Sequence, residues 1–215
     1  MGTNLFDSFP ASQRSHLIVR KGRAGLYDYS LGFREAADRL ASTFTGQPFD
    51  DTIFMPWLYM HRHATELVLK DAIIVATRLR RRSGDTDPSL GIEETQGRLK
   101  RKLGHKLVPL VDELDTHLRA LELETTPQSA RRLLARLAQL DPSGEAFRYS
   151  GFFPKDDDRV DFPSFHTALR EMVDTLSGAL DVLDVYADYQ SDLLDSCPDG
   201  NELSEGVDVA DYTDL

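Results

Sequence analysis

Along most of this chain the apolar residues recur three and four positions apart, the spacing of helices with one buried face. Leu31, Phe33, Ala36, Ala37, Leu40 and Phe44 predict a surface helix over residues 27–44, ended by Gly46 and Pro48. Residues 53–80 are apolar on nearly every side, which predicts one long helix at the centre of a bundle. Asp50, Asp51 and Thr52 offer capping groups for that helix, and Pro56 fits an opening turn, where no backbone donor is needed. Leu107, Leu110, Val111, Leu114, Leu118 and Leu121 trace a third face; Ala130, Leu133, Leu134, Leu137 and Leu140 trace a fourth. A fifth runs from Ser164 to about Leu194 through Phe165, Leu169, Met172, Val173, Leu176, Leu180, Leu183 and Tyr186. Residues 91–103 read as a short polar helix or a mobile segment. Pro142, Gly144 and Gly151, with aromatics at Phe147, Tyr149, Phe152 and Phe153, mark a small irregular or hairpin insertion near 147–162. The expected architecture is all-α, an up-and-down bundle of four to five main helices.

Composition divides the chain further. Residues 1–26 read as an irregular arm, 27–190 as the helical domain and 191–215 as an acidic, disordered tail. The net charge of -11 is concentrated in that tail, which carries eight acids and no Lys or Arg. The body is therefore close to neutral. Within it Arg78, Arg80, Arg81, Arg82, Arg98, Lys100, Arg101, Lys102 and Lys106 form a basic island around a loop. Such an island either attracts an RNA backbone or an acidic partner, or is the solvated end of a helix whose dipole favours cations. The acidic tail is a candidate internal competitor for it. No apolar run reaches the roughly 18 residues of a membrane span, and the first residues lack the basic-then-apolar pattern of a secretory signal. Cys197 is the sole cysteine, so no internal disulfide forms, and a cytoplasmic setting without membrane association is expected.

The candidate chemistry lies on the central helix. At 100° per residue Tyr59, His63, Glu66 and Lys70 fall within an arc of about 60°, with Arg62 at its edge. A polar seam on an otherwise buried helix has two readings. His63 beside Glu66 resembles an oriented acid/base pair; alternatively Glu66 and Lys70 neutralise each other as an i,i+4 pair while His63 bonds to a loop. Arg148, between Phe147 and Tyr149, is expected to be anchored and to seek Glu66 or Asp141. His61 and His63 point in different directions on one helix and no His-Glu-x-x-His spacing appears, so neither a metal nor a cofactor is expected.

Three stretches, RHATELVLKDAI from Arg62, GHKLVPLVDEL from Gly104 and DPSGEAFRY from Asp141, resemble in order a group of bacterial helical proteins related to the HEPN superfamily. The resemblance covers about residues 53–184. It implies a bundle of four or five helices, frequent homodimers, and roles in bacterial defence, toxin-antitoxin or RNA-processing systems. Active HEPN members are metal-independent endoribonucleases in which a His assists transfer of the 2'-hydroxyl proton and an Arg, separated from it by four to six residues, holds phosphate. Arg98 with His105 and Arg159 with His166 have that spacing, and the first pair lies beside the basic island. In both, an apolar residue (Leu99 or Val160) follows the Arg, where active members usually carry a polar one. The expectation is thus an RNA-binding or partner-binding protein, with catalysis by Arg98 and His105, or a purely structural adaptor, as alternatives. His105 also has a structural reading, as a helix-start residue bonded across the bundle to the Glu66 seam.

Overall fold

A computed structural model describes residues 24–145 and 159–196, with side chains through residue 193. Among them there is no strand. Six α-helices follow in order: α1 (Leu26–Ala41), α2 (Asp51–Arg82), α3 (Ile92–Gly97), α4 (Leu107–Ala120), α5 (Gln128–Leu140) and α6 (Phe162–Ser196). A π-helical turn, Arg98–Leu103, extends α3. The central helix α2 packs on α1, α4 and α6, while α5 bridges α4 and α6. The all-α bundle that the periodicity predicts is the observed architecture.

The core is built from α2 outward. Trp57, Leu58, Val68, Leu69, Ala72, Ile73, Ala76 and Leu79 are buried along its length. Against them lie Leu107, Leu110, Val111, Leu114 and Leu118 of α4, then Leu169, Met172, Val173, Leu176, Leu180 and Leu183 of α6. Truncating any of the larger of these to Ala would cost about 2–5 kcal/mol.

Several details depart from the pattern. Leu31 of α1 and Phe44, beyond the end of that helix, turn partly to solvent, and α1 buries Ser30 and Ala37 instead. Small residues let the two backbones approach, and the Ser30 hydroxyl donates to the Ala64 carbonyl at 3.1 Å. α2 begins at Asp51, so Pro56 stands inside the helix and removes the bond its amide would have given to residue 52. Leu140 is 45% exposed and leaves the α5 face. Residues 92–103 are helical, as the first of the two readings of this stretch has it.

α6 reaches Ser196, past residue 191, where the charge pattern places the start of the tail. The reason lies at the far end of α2, where Gln190 Nε2 donates to the Leu79 carbonyl at 3.2 Å and Arg82 Nη2 to Ser191 Oγ at 2.9 Å. The arm over residues 1–23, most of the 147–162 insertion, and the tail beyond residue 196 lie outside the described residues.

Candidate functional site

The polar seam of α2 closes around Glu66, whose side chain is 2% exposed. Lys70 Nζ stands 2.9 Å from Glu66 Oε1, the i,i+4 pair read from the sequence, and Arg62 Nη1 reaches Oε2 at 3.3 Å from the preceding turn. His105 Nδ1 meets Oε1 at 2.8 Å from the other side of the bundle. Burial pushes the Glu66 carboxyl upward, but the Lys70 ammonium and His105 outweigh it and hold it below the usual carboxylate range. Glu66 is a buried anion with three partners.

Arg62 extends the network to two loops. Its Nε lies 3.0 Å from Asp141 Oδ2, and its Nη2 donates to the His105 carbonyl at 2.7 Å and to the Asp141 carbonyl at 3.2 Å. One planar guanidinium thereby ties α2 to the chain entering α4 and to the chain leaving α5. Asp141 is fully buried, and its Oδ1 accepts the Glu145 amide at 2.8 Å.

The local sequence explains why these loops can come so close. Gly104 adopts φ 54° and ψ -118°, a conformation that glycine alone takes easily, and turns the chain between the π-helical turn and α4. His105 then faces Glu66 while Leu107 drops into the core. Gly144, at φ 83°, lies over the same centre: a Cβ there would stand 2.8 Å from His105 Cβ and 3.1 Å from Arg62 Nη1. The stretches beginning at Arg62, Gly104 and Asp141 thus converge on one point.

The remaining predicted residues are distributed differently. Among the described residues His63 stacks on Tyr59 with centroids 5.7 Å apart and meets Phe33 edge-on at 4.5 Å. Burial lowers its pKa, with Glu66 opposing. Arg62 pairs with both Glu66 and Asp141, the carboxylates that the sequence offers to Arg148, while Arg148 and Tyr149 themselves lie outside the described residues. Arg98 and His105 are held by separate partners: Arg98 Nε binds Glu113 Oε1 at 2.6 Å and its Nη1 donates to the Ser89 carbonyl at 2.8 Å. Bonds from His117 and Arg98 draw the Glu113 pKa down to about 2.

The basic island divides in two. Arg80 is paired with Asp85 at 2.6 Å and lies 3.0 Å from His117 Nδ1, Arg82 holds Ser191, Arg78 is partly buried, and Arg81 is exposed. Lys100, Arg101, Lys102 and Lys106 are exposed, and none forms an ion pair among the described residues. They flank His105, whose side chain is 55% exposed. With Nδ1 turned inward to Glu66, Nε2 is the nitrogen left for a ligand arriving from solvent.

The arrangement can bind an anion at a cationic turn and present it to an imidazole of fixed orientation. Sequence reasoning missed the central part played by Arg62, although the i,i+4 spacing from Arg62 to Glu66 was a usable signal. It also missed Asp115, buried between α4 and α5, whose Oδ1 accepts both the amide and the hydroxyl of Thr126 while Oδ2 pairs with Arg131. Comparison with known proteins finds no matching family model, curated protein or solved structure.

Proposed function

We propose that this chain is a HEPN-like RNA-binding component of a bacterial defence or stress system, and that the turn carrying Lys100, Arg101, Lys102, His105 and Lys106 is its contact surface. The observation that carries this reading is the contrast within the basic island. Its other arginines are largely committed to protein partners, whereas these four cations are exposed beside an imidazole anchored to a buried carboxylate. Four phosphate contacts to a single strand give a log–log salt slope of about -3. Fluorescence anisotropy with labelled single-stranded RNA across a salt series tests this, together with alanine at all four positions. Binding that is absent at every salt concentration, or unchanged in the fourfold variant, rejects it.

A second reading, a metal-independent endoribonuclease, is favoured by the Glu66–His105 pair, since a carboxylate on Nδ1 leaves Nε2 to exchange protons. Incubating RNA in EDTA with wild type, Arg98→Ala and His105→Ala separates the cases. Loss of cleavage in His105→Ala alone fits the observed pairing of Arg98 with Glu113; equal cleavage by all three rejects both assignments.

For a homodimer, α6 offers Val182, Val185, Tyr189 and Leu193, all about half exposed or more and spaced three and four apart. A dimer built there dissociates in Val185→Lys by sedimentation velocity; a wild type that is monomeric throughout removes this reading and leaves the stripe to a different protein partner.

A further inference from the structure

His61 is the least satisfied polar side chain of the core. It is fully buried, and among the described residues neither Nδ1 nor Nε2 has a hydrogen-bond partner. Each buried polar group left unmet costs about 1–3 kcal/mol, so its retention calls for an explanation. Its neighbours offer one. His166 of α6 lies with its ring centroid 5.6 Å from that of His61, and Asp38 of α1 places Oδ1 3.6 Å from His166 Nε2. Asp38 Oδ1 is likewise buried and, among the described residues, without a hydrogen bond. One ligand atom from each of Asp38, His61 and His166 lies within 4.8 Å of the other two.

We propose that Asp38, His61 and His166 form a site for one divalent transition-metal ion of the zinc class. Two imidazoles and a carboxylate are a donor set suited to such ions, with a fourth position left to water. Bonds of about 2.0–2.2 Å in a tetrahedron place ligand atoms roughly 3.4 Å apart. Asp38 and His166 are already near that spacing, and side-chain rotation closes the rest. Asp38 and His166 are about one-fifth exposed, which gives an ion a way in, while His61 forms the floor.

Two existing contacts change when the ion binds. Arg170 Nε, 3.8 Å from Asp38 Oδ2 on a half-exposed side chain, gives way to the ion. Trp57 Nε1 donates to His166 Nδ1 at 3.3 Å, which keeps the proton of neutral His166 on Nε2. Ligation through Nε2 moves that proton to Nδ1 and breaks the long Trp57 bond. Trp57 is the sole tryptophan of the chain, and its ring lies 5.1 Å from His61 and 6.0 Å from His166. The site therefore contains its own fluorescent reporter. The sequence could not show this cluster, because its members come from three helices and share no local spacing.

The test uses the full chain, freed of metal by chelation and dialysis, then titrated with Zn²⁺ and separately with Co²⁺. Expected are one ion per chain, a dissociation constant of about 10 μM or tighter, a saturable change in Trp57 emission, and the visible bands of four-coordinate Co²⁺. Asp38→Asn and His166→Gln each weaken binding by more than the 10–100-fold that loss of an outer-shell partner produces, while His105→Gln leaves it unchanged. Both substitutions lie at the partly exposed rim, and circular dichroism checks that each variant is folded. Absence of a saturable emission change in wild type, or binding indifferent to both substitutions, overturns the site. RNA binding in the presence of EDTA is read separately, so either proposal can fail without the other.

Discussion

Replacing Arg62 by Met removes one guanidinium and keeps most of the apolar bulk. The Arg62 side chain is 3% exposed and Asp141 0%, so the lost pair is one that water does not replace. Deleting one partner of a buried pair typically costs about 3–5 kcal/mol, because the other charge stays in a poorly solvating interior. Glu66 is the smaller concern, since Lys70 still neutralises it. The His105 carbonyl, on a half-exposed residue, can turn to water, and we assign it no further loss. Set against a total stability of about 5–15 kcal/mol, the change is large, and for a chain of this size it lowers Tm by roughly 6–20 °C. Arg62→Lys restores the charge but not the planar fork that reaches both the Oδ2 and the main-chain carbonyl of Asp141, and should still lose about 1.5–3 kcal/mol. Urea denaturation followed by far-UV circular dichroism measures both, with the m-value checked for constancy. The decisive variant is Arg62→Met combined with Asp141→Asn. If loss of this charge pairing is the cause, the double variant is more stable than Arg62→Met alone. A loss below about 1 kcal/mol in Arg62→Met, or a double variant that is weaker still, refutes the reasoning.

Asp71 gives a pH test. Burial raises its pKa from 3.8 to about 6, against a hydrogen bond from the Tyr27 backbone, so the folded state holds the proton more tightly than the unfolded one. The ionised form therefore penalises folding above pH 6, and the penalty fades as pH falls toward 4; Asp71→Asn should stabilise by up to about 3 kcal/mol at pH 8 and by little at pH 4. A gain independent of pH contradicts this. Gly144→Ala forces a side chain onto His105 and a left-handed backbone onto alanine, and should cost about 2 kcal/mol or more in urea melts while weakening RNA binding. An unchanged midpoint would mean the 141–145 turn yields freely. Removing the acidic tail tests competition for the cationic turn only if the cut follows Ser196, because Gln190 and Ser191 hold the end of α2. A several-fold gain in RNA affinity is expected, and an unchanged value rejects competition.

What the sequence disclosed follows from the range of each interaction. The helical faces repeat locally, so Leu107, Leu110, Val111, Leu114 and Leu118 could be assigned to the core from spacing alone, and the structure buries all five. Glu66 with Lys70 was legible because i,i+4 geometry is fixed by the helix itself. The bond from His105 to Glu66 spans 39 positions and was one of two readings, supported only by the character of a Gly-His helix start. Arg62 with Asp141, 79 positions apart, leaves no local trace in the sequence. The basic island shows a second limit. Counting charges cannot tell that Arg98 is committed to Glu113 while Lys100 faces water, because that is settled by how α3 and α4 meet.

Arg62 grips the turn ahead of α4 through the main-chain oxygen atom of residue 105. Every amino acid carries that oxygen, so the anchor does not depend on which functional groups decorate the neighbouring turn. Residues such as Lys100 or Lys106 are therefore free to be exchanged for others without loosening the joint beneath them. Ligand preference in a molecule built this way can be rewritten at the rim while its frame stays as it is.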